Sequence, residues 1–256
     1  MTNPPTTLIF CGWLKALTSR TRRTDDQGGI TLPINRRTSI KDLIESFGVP
    51  HTEVGAILVD EEEVTFDHIV GHPKAITIMP LRPPVDVLRP SRLRPLPLPT
   101  LRFLVDANVG KLAGKLRMAG FDTSYPRVKR DEELAELAAQ EQRLLLSKDV
   151  QLLKRKKVLH GHLVREIYPQ RQLAEIIHFY DLLGDLRPFT RCLQCNELLK
   201  PMAKDKISHR LEPLTKKYYQ DFHLCPVCDR LYWPGSHRQN MDLFLTELHN
   251  YQPPPY

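Results

Sequence analysis

The sequence predicts an α/β protein built on a largely parallel sheet, preceded by a separate small α+β unit and followed by a cysteine-bearing module. Three observations predict it. From residue 101 to about 187, short apolar runs alternate with amphipathic stretches, the order that builds βαβ crossovers. Two of these runs, FLVD and LLLSKD, end at Asp106 and Asp149, and residues at the carboxyl ends of strands in an open α/β sheet converge in one crevice. Beyond them stand two C-x-x-C pairs, Cys192/Cys195 and Cys225/Cys228.

In chain order, residues 1–81 read as the α+β unit. The segment IKDLIESFG, Ile40 to Gly48, is a predicted helix: Ser39 can cap it, Leu43, Ile44 and Phe47 share a face, and Gly48 stops it. Strands are predicted at Ala56 to Asp60 and Ala75 to Pro80, with an earlier pair near 8–15 and 28–33. Short strands around one helix suggest a ubiquitin-like β-grasp. Residues 82–100, RPPVDVLRPSRLRPLPLPT, form a Pro-rich linker expected to be extended. Its arginines are candidates either to hold a polyanion or simply to be solvated.

The parallel-sheet domain is expected over 101–187. Strands are predicted at Phe103 to Val105, Phe121 to Tyr125, Arg143 to Ser147 and the HLVRE run. Helices are predicted at Val109 to Gly120, Asp131 to Gln142 (with Asp131 as N-cap), from VQLLKRKK and from QLAEIIHFYDLLG. Residues 188–245 are expected to form a metal ribbon and a C-terminal helix, and 246–256 a disordered tail.

Composition narrows the function classes. With 256 residues the chain can bury a core without disulfides. A net charge of +7 suits a polyanionic partner, nucleic acid first. No apolar run approaches the ~18–20 residues that span a bilayer. The N-terminus lacks a basic run before its short apolar stretch, so a secretory signal is not expected. Paired cysteines in such a chain point to a cytoplasmic setting and to metal rather than disulfides. Cys11, alone, reads as a buried small hydrophobe.

The acids suggest phosphodiester chemistry. Asp106 and Asp149 at strand ends, with Asp131 and Glu132 from a helix start, offer hard oxygen ligands suited to Mg²⁺ or Mn²⁺. Such ions activate water and relieve charge on a leaving oxygen. Ser147 could orient a carboxylate or a water. The same residues have plainer readings: an N-cap for Asp131, and turn initiators at strand ends. Asp122 reads as a turn or sheet-edge residue. Lys111, Lys115, Arg117, Arg130, Lys154 and Arg155 are candidate phosphate contacts, or charges that solvate helix faces. The four cysteines fit a closed tetrahedral Zn²⁺ site, with 29 residues between the pairs. His209, His223 and His237 are then surface or packing residues.

The order DANVGKLAGKLRMAGFDT, DEELAELA, RLLLSKD and two cysteine knuckles resembles the PIN-like RNase domain with a zinc ribbon found at the C-terminus of mut-seven exonucleases. The resemblance covers 101 to about 245. The stretch TSIKDLIESFGVPHTEVGAILVDEEEV resembles the ubiquitin-like domain that often precedes it, itself related to sulfur carriers. The resemblance implies metal-dependent RNA cleavage, with Asp106, Asp131 and Asp149 matching the family's acids, and RNA, tRNA or rRNA among the candidates, as substrate. PIN-like sites often carry a fourth acid soon after the last of these. QLLKRKK offers none, leaving Glu132 or Glu166 as substitutes. The first domain lacks the terminal Gly-Gly of a sulfur carrier, so it is expected to bind a protein or RNA partner instead. The competing readings are a non-catalytic RNA- or ribosome-binding module and a sulfur-transfer or redox protein.

Overall fold

The structure, a computed structural model, describes residues 5–18, 29–34, 37–71, 73–127, 130–234, 248 and 251. The first unit contains β1 (Thr6–Phe10), β2 (Gly29–Leu32), β3 (Thr38–Ser39), α1 (Ile40–Ser46), β4 (Val54–Val59), β5 (Glu62–Glu63), β6 (Ile69–Val70) and β7 (Ala75–Pro80). Five of the strands form a sheet in the order β2-β1-β7-β4-β5, with β1 and β7 parallel at its centre. Alternation along β7 buries Ile76 and Ile78, which pack with Leu43, Ile44 and Phe47 of the α1 segment. Ser39 caps α1 as predicted, its Oγ accepting from the Asp42 N–H at 3.1 Å. The first strand is shorter than expected. Gly12, at φ +52°, turns the chain out of the sheet into a 3₁₀ helix over Gly12–Leu17. Cys11, beside that turn, is half-buried rather than buried.

The second unit contains β8 (Phe103–Val105), α2 (Gly110–Met118), β9 (Thr123–Ser124), α3 (Asp131–Gln140), β10 (Leu144–Ser147), α4 (Val150–Leu153), β11 (Gly161–Leu163) and α5 (Pro169–Phe179). Its four strands run parallel in the order β11-β10-β8-β9. Side chains alternate between two layers. Phe103, Val105, Leu144 and Leu146 pack with Leu112 and Leu116 of α2 and Leu173 and Ile177 of α5. Leu104 and Leu145 face the other way, onto Leu134 and Ala138 of α3 and Leu152 and Leu153 of α4. A sheet buried on both faces needs continuous apolar runs, and FLV and LLL supply them.

Several helix boundaries differ from expectation: α5 runs over Pro169–Phe179 rather than 172–184, and α2 is shorter at both ends. Arg130, not Asp131, is the N-cap of α3; the Glu133 carboxylate accepts from the Arg130 N–H at 3.3 Å, which sets the register one residue earlier. The α4 helix is a single turn ending at Leu153, so the whole KRKK run lies beyond it.

The Pro-rich segment is not a solvated linker. Leu93 is buried in the first core and Leu98 in the second. Arg94 donates to the carbonyls of His51, Thr52 and Val54. Nor is the segment extended as expected. Ser91 and Arg94 exchange backbone hydrogen bonds and the Leu98 N–H donates to the Val87 carbonyl, so this strap folds back on itself as well as bonding to both units. The two units also meet directly. Glu53, fully buried, accepts from the Leu163 N–H at 2.8 Å and from Arg165 at 2.6 Å. The Arg165 guanidinium lies 3.7 Å over the Trp13 ring.

The last module contains β12 (Lys200–Met202), α6 (Lys204–Ile207), α7 (Pro213–Tyr218), β13 (Phe222–Leu224) and β14 (Leu231–Tyr232), its strands forming an antiparallel sheet. The expected C-terminal helix lies largely outside the described residues, as does His237. In the tail expected to be disordered, Tyr251 donates to Glu166 at 3.0 Å.

Candidate active site and metal centre

Asp106 follows β8 and Asp149 follows β10, adjacent parallel strands, so both occupy the carboxyl edge of the sheet. One hydroxyl joins them. Ser147 Oγ donates to Asp106 Oδ2 at 2.6 Å and accepts from the Asp149 N–H at 2.8 Å and from Asn108 Nδ2 at 3.2 Å. Its one proton and two lone pairs are thereby all used. Asp106 Oδ1 accepts from the Ala107 N–H at 2.5 Å. Asp149 caps α4, its Oδ1 accepting from the Gln151 and Leu152 N–H groups. Asn108 Oδ1 accepts from the Lys148 N–H and ties the two strand ends together. Sequence reading passed over Asn108; an amide two residues past a strand-end aspartate was its only signal.

Asp131 is tethered differently. It and Glu132 face Arg155, at 3.9 and 3.1 Å. Arg155 is therefore paired with acids rather than presented as a bare phosphate contact. Among the described residues, the three aspartates do not bring their oxygens within 4.8 Å of one another; only four cysteines form such a group. Glu166 is engaged by Tyr251, and its backbone N–H donates to Glu175.

The other basic candidates divide. Lys111 is exposed, Lys115 half-buried, and Lys154 half-buried after α4. Arg130 is exposed and pairs with Glu133 at 3.4 Å. Arg117 departs from the expectation of a phosphate contact. It is 7% exposed, and its guanidinium donates to the carbonyls of Thr123, Leu193 and Gln194. The fork spans from α2 to the first cysteine turn and fixes the two together.

The four cysteine sulfurs lie within 4.8 Å of one another, with Cys195 and Cys225 at 3.3 Å and Cys192 and Cys228 at 3.5 Å. The two knuckles repeat one backbone design. The first cysteine of each takes a carbonyl five residues on, Glu197 for Cys192 and Arg230 for Cys225. The residue after each second cysteine, Asn196 or Asp229, has positive φ, at 71° and 57°. Asn and Asp are the non-glycine residues that tolerate this turn best. Burial would raise the Cys192 thiol, but the Tyr232 hydroxyl and the Cys195 and Gln194 N–H groups outweigh it and bring it to about 6. Burial and the neighbouring sulfurs push Cys195 up to about 12. Four thiolates at this spacing repel unless a cation neutralises them. The separations suit Zn–S bonds of about 2.3 Å in a tetrahedron. The sulfur donor set and the closed geometry therefore fit structural zinc.

Asp122 is more than a turn residue. It accepts from Arg143 at 2.6 Å and Asn196 at 3.0 Å, with Arg191 at 3.8 Å. Burial opposes its charge, but these donors hold the carboxyl below its ordinary value. Asn196 also accepts from the Thr123 N–H at 2.9 Å, so a knuckle residue completes the edge strand β9.

No helix among the described residues is long and apolar enough to cross a membrane. No curated protein and no solved structure matches the chain. Two family models do: Mut7-C ubiquitin over residues 7–86, and Mut7-C RNAse domain over residues 101–245. The second match spans more than half of the chain, which belongs to the Mut7-C RNAse domain family.

Proposed function

We propose that this protein is a metal-dependent ribonuclease that hydrolyses RNA phosphodiester bonds at the crevice formed by Asp106, Asp131 and Asp149. The observation that carries the reading is the Ser147 hydroxyl, which orders the Asp106 carboxylate against the backbone of Asp149 at the ends of adjacent strands. These carboxylates are hard donors and fit Mg²⁺ or Mn²⁺. Asp149 Oδ2 takes part in no hydrogen bond among the described residues. When bound, the ion supplies an activated water and relief of charge on the leaving oxygen. The chain supplies orientation. Ser147 and the Ala107 N–H fix the two Asp106 oxygens, and Asn108 fixes Ser147. Arg155 offsets the charge of Asp131 and Glu132, from which it must move for both to reach a cation. Zinc in the four cysteines is structural. The candidate substrates include tRNA and rRNA.

A second reading, a non-catalytic RNA-binding module, draws on one observation: the three aspartates are not gathered and Arg155 engages one of them. The deciding experiment is cleavage of a mixed panel (tRNA, structured rRNA fragments and single strands) with Mn²⁺ or Mg²⁺. Under the ribonuclease reading, wild type cuts and Asp106→Asn loses at least about a hundred-fold in rate, as removal of an electrostatic group from a reaction centre does. Equal binding with no cutting by either protein supports the second reading.

A further inference from the structure

We infer that a single strand of RNA runs through the cleft between α2 and the first cysteine knuckle, so that the zinc module forms one wall of the substrate path. The inference rests on the ribonuclease reading for where the strand leads, but not for the binding itself. The cleft has a volume of about 560 Å³ and is lined by Lys111, Lys115, Arg117, Tyr125 and Arg127 on one side and by Leu193 and Gln194 on the other. Among the described residues, no carboxylate lines it. Lys111 and Arg127 are exposed. Arg117 lies at the base, its donors committed to carbonyls that hold the knuckle wall in place.

The cleft reaches the start of α2, the helix that follows Asp106. Gly110, four residues after Asp106, lines it, as does Pro169 at the start of α5. A Cβ at Gly110 would come within 2.3 Å of the Tyr125 hydroxyl, so glycine is what lets this ring close on the helix. Tyr168, 64% exposed, immediately precedes Pro169. Cations beside a tyrosine ring, with no acid among the described lining residues, match a nucleic-acid backbone and its bases. The volume is in the range that holds one small ligand. It suits one or two nucleotides of a single strand, not a duplex.

The test uses the zinc-loaded full chain without added Mg²⁺ or Mn²⁺ and a labelled oligouridylate of about 12 nucleotides, within the usual single-strand site range. Fluorescence anisotropy is followed across a salt series, and zinc content and circular dichroism confirm each variant's fold. Each phosphate contact on a single strand contributes about −0.7 to the log K against log salt slope. Replacing Lys111, Lys115 and Arg127 together by Gln is expected to weaken binding at least about ten-fold and flatten the slope by about 2. The exposed single changes Lys111→Gln and Arg127→Gln should each remove part of that slope. Lys216→Gln with Lys217→Gln, on α7, should leave binding unchanged, and a duplex should bind less tightly than the single strand.

Wild-type affinity in the triple variant, an equal loss from the α7 pair, tighter duplex binding, or no binding by wild type would each overturn the inference. Cutting of the same oligonucleotide in Mn²⁺ by Asp106→Asn separates the two proposals. If that variant cuts like wild type while the cleft variants lose binding, the reaction centre is wrong and the cleft stands. If it fails to cut while the cleft variants bind normally, the cleft is wrong and the reaction centre stands.

Discussion

The two edges of the parallel sheet are finished by different chemistry. At the β11 edge, Glu53 of the ubiquitin-like unit accepts the Leu163 N–H and pairs with Arg165. Beside it, the buried Glu175 accepts from the Arg165 and Glu166 N–H groups and meets His162 at 3.0 Å. Burial raises the Glu175 carboxyl, yet His162 and these N–H groups bring it below its ordinary value. At the β9 edge, Asn196 of the first knuckle accepts the Thr123 N–H, and the knuckle's position follows from the cysteine cluster and Arg117. One edge is closed by buried ion pairs and the other by a module that fits a metal. Exposed strand edges invite unwanted pairing, and here both are covered by flanking units of the same chain. The difference teaches that the flanking units are structural parts of the sheet that carries the acids. It also means the two edges should fail under different treatments.

Cys225→Ser should produce the largest effect. Structural zinc in small domains contributes on the order of 10 kcal/mol to folding. Zinc content should fall to zero, and amide protection should vanish across the ribbon and at β9 while β11 keeps its protection. Loss at both edges together would show that they are not independent. Glu53→Ala attacks the other edge. Removing one partner of a buried pair costs about 3–5 kcal/mol where the other charge is left alone. Arg165 keeps Glu175 at 3.6 Å, so the loss should sit at the low end of that range, with the buried Leu163 N–H losing its acceptor. The thermal midpoint should drop by several degrees with zinc content unchanged, and exchange should quicken first at β11. A fall below about 1 kcal/mol would mean that Arg165 is solvated or re-paired without it. Asn196→Ala is the smaller counterpart at the β9 edge. It leaves the Thr123 N–H and part of Asp122 unpartnered at about 1–3 kcal/mol, read by urea denaturation at constant zinc. A cost equal to that of Cys225→Ser would place the edge's stability in this one amide rather than in the knuckle.

Much of this architecture was legible in the sequence, because the forces behind it are periodic or local. Alternation in AITIMP marks a half-buried strand, and the FLV and LLL runs mark strands buried on both faces. Spacing alone marks the knuckles. The edges were not legible, because their chemistry is long-range. Glu53 reads as one acid in a turn, HTEVG, and its partner lies 110 residues away. Arg117 reads as part of a basic helix face until its three carbonyl partners appear. The strap over 82–100 reads as a linker because proline frequency hides the two leucines that anchor it. At the acidic site the strand-end aspartates were visible, whereas Asn108 and the shared hydroxyl of Ser147 appear only once β8 and β10 are side by side.

The central claim is that the Asp106 crevice acts on RNA through a divalent ion in contact with the scissile phosphate. The most direct measurement is cleavage of an RNA bearing a single phosphorothioate at the cut position, in Mg²⁺ and then in Mn²⁺, by wild type and by Asp106→Asn. Oxygen-preferring Mg²⁺ should cut the sulfur-substituted bond poorly, and the softer Mn²⁺ should restore the rate, with both activities lost in the variant. Equal rates in the two metals, or rescue that persists in Asp106→Asn, would contradict the account.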